Sequence, residues 1–433
     1  MITPSGMTIA EYNAAIALEN KVHARITFVL ENIVFQDEEF EFNGGIRVSS
    51  YMNPDTEMRF GTAFCRECVV NFIRSEKTDN LNWTSEFKLE FGVENGNSIE
   101  WVTIGYFTGT RPTWNRRNVV ELLAYDRMMR FGLKASDYLR NVTYPCTLQD
   151  LYDGLCTFTV TENVTGDEIS SVMAYEYSEA PEFEADITFR DLLSQIAKEN
   201  GCYARITNLG KVQLVWFKDH SEDYELTWDD IFDLDLSNLQ IKQRYQWRSL
   251  ESLQWKDVEN VQYKYYDNQD EEEIGIKSLS FSWEDGENSV LITQPASGTH
   301  SSWAIVLVEQ GSENTWNTIL AYTWGDLRND SDAAGNKYII VNNPLLYHST
   351  EADIRVHLQA ILNKIYMFDI KYIADINAVG NWLVEAGDII LLEVERNEKF
   401  TKFPIFNMVL AWNGSCKADY ETTGVMTNED VYL

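Results

Sequence analysis

Up to about residue 126 the hydrophobic and polar positions alternate in short runs. Residues 24–36, "ARITFVLENIVFQ", predict a strand, and "EFNGGIRVSSY" adds a Gly-Gly turn leading into another. "FKLEFGV", "EWVTIGYFTG" and "NVVELLAYD" continue the pattern with β-branched and aromatic residues between Asn, Gly and Pro, as in an all-β barrel or sandwich. The period changes after Tyr144-Pro145. In "TLQDLYDGLC", Leu148, Leu151, Tyr152 and Leu155 share a helix face, with Thr147 as N-cap and Asp150 placed to answer it. "TFRDLLSQIAKENG" repeats this grammar: Thr188 caps, Asp191 answers, Phe189, Leu192, Leu193 and Ile196 form the apolar face, and Gly201 follows the end. A hairpin turning at Asn208-Leu209-Gly210 completes a small α+β unit.

From 239 to 266 polar and aromatic residues alternate, which predicts long strands with one wet face, and "DNQDEEE" at 267–273 reads as a solvated turn. Residues 278–335 are rich in Ser, Asn, Gly and Trp, with strand-like "SVLIT" and "WAIVLVEQ". A final unit begins near Tyr338. Ser349 or Thr350 caps a predicted helix over 350–366, with Ile354, Leu358, Ile361, Leu362 and Ile365 on one stripe. Gly387-Asp388 then turns into "IILLEV", "FPIFNMVLAW" follows as another strand, and the polar tail after Thr422 is expected to be loose.

The chain has 433 residues, too many for one ordinary domain, and is 44% hydrophobic and 13% aromatic, the composition of a folded protein. Its 35 Lys and Arg against 68 Asp and Glu give a net charge of −33. That balance argues against gripping nucleic acid, which draws on clustered basic side chains, and against an anionic bilayer. It is first of all a solubility surface, and in a sharper reading a wall that DNA passes without sticking. Neither a signal peptide nor a run of about eighteen apolar residues occurs, so synthesis in the cytoplasm and no membrane anchor are expected. Six scattered cysteines, Cys65, Cys68, Cys146, Cys156, Cys202 and Cys416, do not make a disulfide framework. Cys65 and Cys68 have zinc-knuckle or redox spacing. They lack a second ligand pair, and Phe64, Glu67, Val69 and Phe72 around them look strand-like, so they read as structural.

Candidate chemistry is sparse. Glu38-Glu39, Asp229-Asp230 and Asp270 to Glu273 are adjacent carboxylates in turn-like or cap-like settings, where solvated surface outweighs acid–base catalysis. The histidines, His23, His220, His300, His348 and His357, make no His-Glu-x-x-His helix, and neither a Gly-x-Ser-x-Gly elbow nor a phosphate loop is present. Asp330, Asp332 and Gly335 echo an EF-hand opening, but Val341 stands where its last carboxylate belongs. Trp247, Trp255, Tyr263 and Tyr265 could stack on sugars and equally serve cores or interfaces. No catalytic, cofactor-binding or metal residue is assigned, and no cofactor is expected.

The order of these parts carries more than any one of them. "YFTGTRPTWNRRNVVELLAYDRMMRF" at 106–131, "YPCTLQDLYDGLC", then "NNPLLY" at 342–347, a helix, and "GNWLVEAGDIILLEV" at 380–394 resemble the trimeric hub proteins at phage tail tips. That family includes contractile-baseplate hubs and the N-terminal hub region of tail-associated lysins, and the resemblance covers about residues 24 to 424. It implies a mostly β, multidomain fold with two barrel-like tube domains and smaller α+β portions. The corresponding units are 1–140 (first barrel), 141–220 (small α+β), 221–340 (second barrel, insertion 278–335) and 341–433 (C-terminal α+β, completing the second barrel).

In a hub of this kind two barrels per chain make a ring of six in a homotrimer, matching a hexameric distal tail or tail tube protein and surrounding the DNA channel. A tape measure protein and receptor-binding or fibre proteins are the other implied partners, and the virion tail tip, assembled in the host cytoplasm, is the implied location. Some members continue into a wall-cleaving domain; here wall digestion is expected to belong to another protein, so the chain is not expected to be an enzyme. A flexible-tailed phage is the preferred setting, a contractile tail or tailocin baseplate the alternative, and a host-wall carbohydrate-binding adhesin the alternative of another class. A wall hydrolase is the least supported.

Overall fold

The computed structural model describes residues 1–17, 22–52, 61–116, 118–164, 171–181, 183, 185–220, 223–240, 246–248, 255–257, 288–293, 296–297, 300–301, 303–309, 337–341, 345, 370–395 and 399–426. Helix α1 (Ile9–Ala17) precedes strands β1 (Val22–Phe28), β2 (Ile33–Gln36), β3 (Ile46–Tyr51) and β4 (Glu67–Ile73). After α2 (Glu76–Asp79) come β5 (Glu86–Asn95), β6 (Ser98–Gly109), β7 (Thr113–Arg116) and β8 (Val119–Asp126). A 3-10 turn, Arg127–Gly132, leads to α3 (Ser136–Asn141), β9 (Cys146–Thr147), α4 (Leu148–Phe158), β10 (Glu176–Tyr177), α5 (Phe189–Glu199), β11 (Tyr203–Ile206) and β12 (Val212–Val215). Then follow β13 (Lys218–Asp219), β14 (Glu225–Leu226), β15 (Ile231–Gln240), β16 (Gln246–Arg248), β17 (Trp255–Asp257), β18 (Asn288–Thr293), β19 (Ala296–Ser297), β20 (His300–Ser301), β21 (Trp303–Glu309) and β22 (Lys337–Val341). The last strands are β23 (Ile370–Val379), β24 (Asp388–Glu395), β25 (Lys399–Pro404), β26 (Asn407–Trp412) and β27 (Cys416–Met426).

The fold is mostly β, as the alternation predicts. Its centre is a 12-stranded sheet in the order β15-β23-β27-β26-β3-β4-β8-β6-β5-β1-β2, with β7 on β8. Period-two burial builds its core: Ala24, Ile26 and Phe28 on β1, Cys68, Val70 and Phe72 on β4, and Val120, Leu122 and Ala124 on β8 all point inward. Phe72 lies at the middle of an aromatic cluster, 4.9 Å from Phe35, 5.6 Å from Phe40 and 5.5 Å from Trp83 between ring centroids.

Most of the second barrel-like unit expected over 221–340 lies outside the described residues, and the described strands form no closed barrel. β4 already pairs with β3 on one side and β8 on the other, so β2 finds no free edge along most of its length. The ladder with β3 ends at Val70, and there the curl comes round only as a single Phe40–Phe72 bridge and the Glu41 amide bond to Asn71 O (2.8 Å). Beyond β3 the sheet runs on into the C-terminal strands through the β3–β26 ladder. Gly45 makes that junction possible: its φ is +52°, and a Cβ there would stand 1.9 Å from the Trp412 carbonyl oxygen. Within 221–340 the described strands are β14 and β15, which pair with β24 and β23, the sheet β18-β21-β22 and the pairs β16-β17 and β19-β20, so "SVLIT" and most of "WAIVLVEQ" are strands.

A second core forms around α4, α5 and the β11–β12 hairpin, with Leu148, Leu151, Tyr152, Leu155, Phe189, Leu192, Leu193 and Ile196 buried in it. Both capping boxes are present. The Asp150 and Asp191 amides donate to the Thr147 and Thr188 hydroxyls at 3.1 Å, and the threonine amides donate back to the carboxylates at 2.8 and 2.9 Å. Gly201 ends α5 at φ +59°. Thr188→Ala should therefore lower stability by about 1 kcal/mol in a thermal melt, while Thr188→Ser should recover most of it.

Two further expectations meet the structure differently. "FPIFNMVLAW" is two strands, β25 and β26, with a corner at Ile405-Phe406, and the tail after Thr422 is not loose up to Met426. β23 serves as its template: Thr422 through Met426 pair with Ala374 back to Ile370. The helix expected at 350–366 lies outside the described residues.

Candidate functional site

The outward face of the sheet concentrates acid at one end. On β27 Cys416, Ala418 and Tyr420 are buried while Lys417, Asp419 and Glu421 are exposed; on β23 Ile376 and Ala378 are buried while Asp375 is exposed. Strand pairing turns this alternation into rows. One row runs Asp233, Asn377, Asp419; the next runs Asp235, Asp375, Glu421. Neighbouring strands lie about 4.8 Å apart, and like charges directly opposite repel. Interleaved amides relieve part of this: Asn377 Nδ2 donates to Asp419 Oδ1, and Asn407 Nδ2 donates to Glu421 Oε2 at 2.9 Å. The first row continues through Val409 and Ser49 to Glu67 and Tyr125. Desolvation, and then the Glu67 carboxylate, hold the Tyr125 phenol above its ordinary value. Arg47 and Lys417 are the basic side chains described as exposed on β3 and β27. Among the described residues, carboxylates outnumber basic side chains at this end of the face.

Buried arginines fix the α+β lobe and the C-terminal segment to the sheet that carries these carboxylates. Arg66 pairs with the fully buried Asp126 (Nε to Oδ2, 3.2 Å) and donates to Ile104 O (2.9 Å) and Thr207 O (3.4 Å). Burial pushes the Asp126 carboxyl above its ordinary value, against the pull of Arg66 and the Met128 amide. Arg205 on β11 donates to Ala386 O (3.1 Å) and to Glu385 (3.2 Å), whose carboxylate also lies 3.6 Å from the Met1 amine. Glu86 on β5 accepts from Arg127 (2.7 Å) and Arg130 (2.8 Å), and Arg127 reaches Gly210 O (3.1 Å).

On β5, burial would raise the Glu90 carboxyl, but Arg25 and Lys88, each at 2.8 Å, bring it below its ordinary 4.5. A depressed carboxylate stabilises the fold above its unfolded value, and that contribution is lost as pH falls through the lower, folded one. The melting temperature should thus fall below about pH 4.5 less steeply in Glu90→Gln than in the natural chain.

The sequence candidates for chemistry do not converge. All six cysteines are free thiols. Burial raises those of Cys65 and Cys68, Asp126 adding to the effect at Cys65, and pushes Cys146 up to about 11. Cys65 and Cys68 flank the start of β4; Cys68 is buried in the core of the large sheet and Cys65 packs, half-buried, against the second core. His23 pairs with Asp37 (2.7 Å), and His220 stands 3.6 Å from both Asp223 and Asp388. Glu38 and Glu39 lie in a 3-10 turn, and Asp230 accepts from the Thr227 hydroxyl (2.8 Å) as a turn-capping carboxylate. Trp247, Trp255 and His300 are placed by backbone in β16, β17 and β20. His348, His357, Tyr263, Tyr265, Asp270 to Glu273, Asp330, Asp332 and Gly335 lie outside the described residues. Among the described residues no group of three or more His, Cys, Asp or Glu is arranged to hold a metal ion, and no helix is long and apolar enough to cross a membrane. The carboxylate rows escaped the sequence reading because they arise from pairing between strands far apart in the chain; the local signal was only "DLD", "DIN" and "DYE".

No protein-family model matches the chain, and no curated protein sequence matches it. Solved structures do. The 43 kDa tail protein of prophage MuSo2 from Shewanella oneidensis aligns with TM-score 0.46 at 10% identity, over 94% of this chain and 98% of that one. A tail protein from Neisseria meningitidis aligns with TM-score 0.44 at 8% identity, over 95% and 100%. A prophage tail protein from Listeria monocytogenes aligns with TM-score 0.40 at 8% identity, over 93% and 94%. All three are tail proteins, two of them from prophages.

Proposed function

We propose that this chain is a structural, non-catalytic hub at the distal end of a phage tail, in a flexible-tailed phage by preference. Three copies form a ring that joins a hexameric tail tube to the tip, and the acidic face of the large sheet lines the DNA channel. The observation that carries this reading is the group of carboxylates that register gathers at this end of the sheet, Asp375 opposite Glu421 and Asp233 and Asp419 on either side of Asn377. Asp375 directly opposite Glu421 is unfavourable for the fold, and the group gains a purpose where a polyanion has to slide past. Three copies, each at −33, bring about −99 to the assembly, enough to keep DNA from adhering wherever it faces the channel. The hexameric tube protein, a tape measure protein and receptor-binding or fibre proteins are the proposed neighbours, in the virion.

Charge reversal tests the wall. In filter binding at low salt the natural chain should not retain duplex DNA, whereas Asp375→Lys/Asp419→Lys/Glu421→Lys should retain it. The affinity gained should fall with salt at a log–log slope of about −0.9 per phosphate contact. Equal retention by both proteins would contradict a repellent wall.

A further inference from the structure

The chain contains four Asn-Gly dipeptides, at 43–44, 95–96, 200–201 and 413–414, and the fold treats them differently. Asn-Gly is the least hindered place for a backbone amide to attack the side chain before it, because glycine has no Cβ to block the approach. The attack needs a glycine N–H free to give up its proton and a carboxamide free to turn. At Asn43 the amide is held twice: Gly44 N donates to Glu41 O (3.3 Å) and to Glu41 Oε2 (2.8 Å). At Asn200 both groups are held. The Gly201 amide donates to Lys198 O (3.0 Å), and the fully buried Asn200 carboxamide donates to Ile196 O (2.9 Å) and Met173 Sδ (3.2 Å).

The turn between β26 and β27 is built the other way. Asn413, Gly414 and Ser415 are exposed between the paired Trp412 and Cys416, and Gly414 has φ +91°. Among the described residues the Gly414 amide has no hydrogen-bond partner. The Ser415 hydroxyl donates to Asn413 Oδ1 at 2.9 Å. That bond polarises the carboxamide and steadies the oxygen on which negative charge gathers when the carbon is attacked. At the β5–β6 turn, the Gly96 amide and the Asn95 carboxamide are also without partners among the described residues, but Asn95 has no donor on its Oδ1.

We propose that Asn413 is a self-modifying site, which converts without an enzyme to aspartate and isoaspartate. Hydroxide takes the Gly414 amide proton, the nitrogen closes on Asn413 Cγ, and the Cγ–Nδ2 bond breaks to release ammonia, leaving a cyclic imide. Water then adds to one of the two ring carbonyls. Opening on one side gives aspartate and on the other isoaspartate, whose backbone runs through the side-chain carbon. Either product adds a carboxylate to the turn, and isoaspartate also lengthens the backbone at a tight junction, where a Cβ on Gly45 would stand 3.3 Å from Asn413 Cα.

Peptide mapping of the full-length chain, kept folded at mildly alkaline pH, reads each conversion as a gain of about 1 Da. Asn413 should convert first and Asn95 more slowly, while Asn43 and Asn200 should convert only in denaturant. Ser415→Ala, a change at an exposed position, should melt as the natural chain does. It should slow Asn413 about fivefold, the worth of one hydrogen bond, and leave Asn95 unmoved. Conversion of Asn43 or Asn200 as fast as Asn413 in the folded chain, or an unchanged Asn413 rate in Ser415→Ala, would overturn the assignment.

Discussion

Phe72→Ala should destabilise the chain by about 3–5 kcal/mol, among the largest effects available to a single substitution here. The ring is fully buried and contacts Phe28, Phe35, Phe40 and Trp83 at the place where the sheet curls back on itself. Alanine would leave a cavity bounded by aromatic rings that cannot all collapse into it, so the loss includes a cavity contribution beyond simple transfer. Ile73, the next residue, is 38% exposed on the outer face, and Ile73→Ala should cost well under half as much. Denaturant unfolding of the pair reads the difference. Similar losses at both positions would mean that the curl is not held by this aromatic cluster.

Arg66→Met should cost a similar amount, about 3–5 kcal/mol, for an electrostatic reason. The guanidinium is nearly buried and offsets the wholly buried Asp126 carboxylate, so its removal leaves an anion with only the Cys65 thiol and the Arg66 and Met128 amides for company. Protonation of Asp126 would relieve this, and the variant should accordingly lose less stability at acid pH than at pH 7. Arg66→Met/Asp126→Leu should recover most of the loss, because two apolar side chains replace the pair without stranding a charge. A single variant as stable as the natural chain would remove the pair from the account of how lobe and sheet are joined.

Local grammar was legible in the sequence where its cause is local. Thr147 with Asp150 and Thr188 with Asp191 announced two helix starts because a capping box is completed within four residues, and the period-two run in "NVVELLAYD" announced β8 because burial alternates with the pleat. Residues 24–36, expected as one strand, are β1 and β2 joined by a turn, and in β4 the core side is Cys68, Val70 and Phe72 rather than Glu67 and Val69. Sheet topology was less legible. Nothing near Asn407 says that β26 pairs with β3, some 360 residues earlier in the chain, and that pairing carries the sheet on from the first barrel-like unit into the C-terminal strands. Arg66 and Arg205 read as surface residues by type, yet their partners Asp126 and Glu385 arrive from distant segments and allow burial. The acidic wall follows the same logic: "DLD", "DIN" and "DYE" are unremarkable singly, and become a feature only when register sets them side by side.

The central claim, a ring whose acidic sheet face borders a channel, is tested most directly by averaged electron images of the purified full-length chain taken to a three-dimensional map. The expected map is a three-fold ring around an open hole, with Asp233, Asp375, Asp419 and Glu421 facing that hole. A map with no ring, or a ring that turns these carboxylate rows to its outer wall, would contradict it.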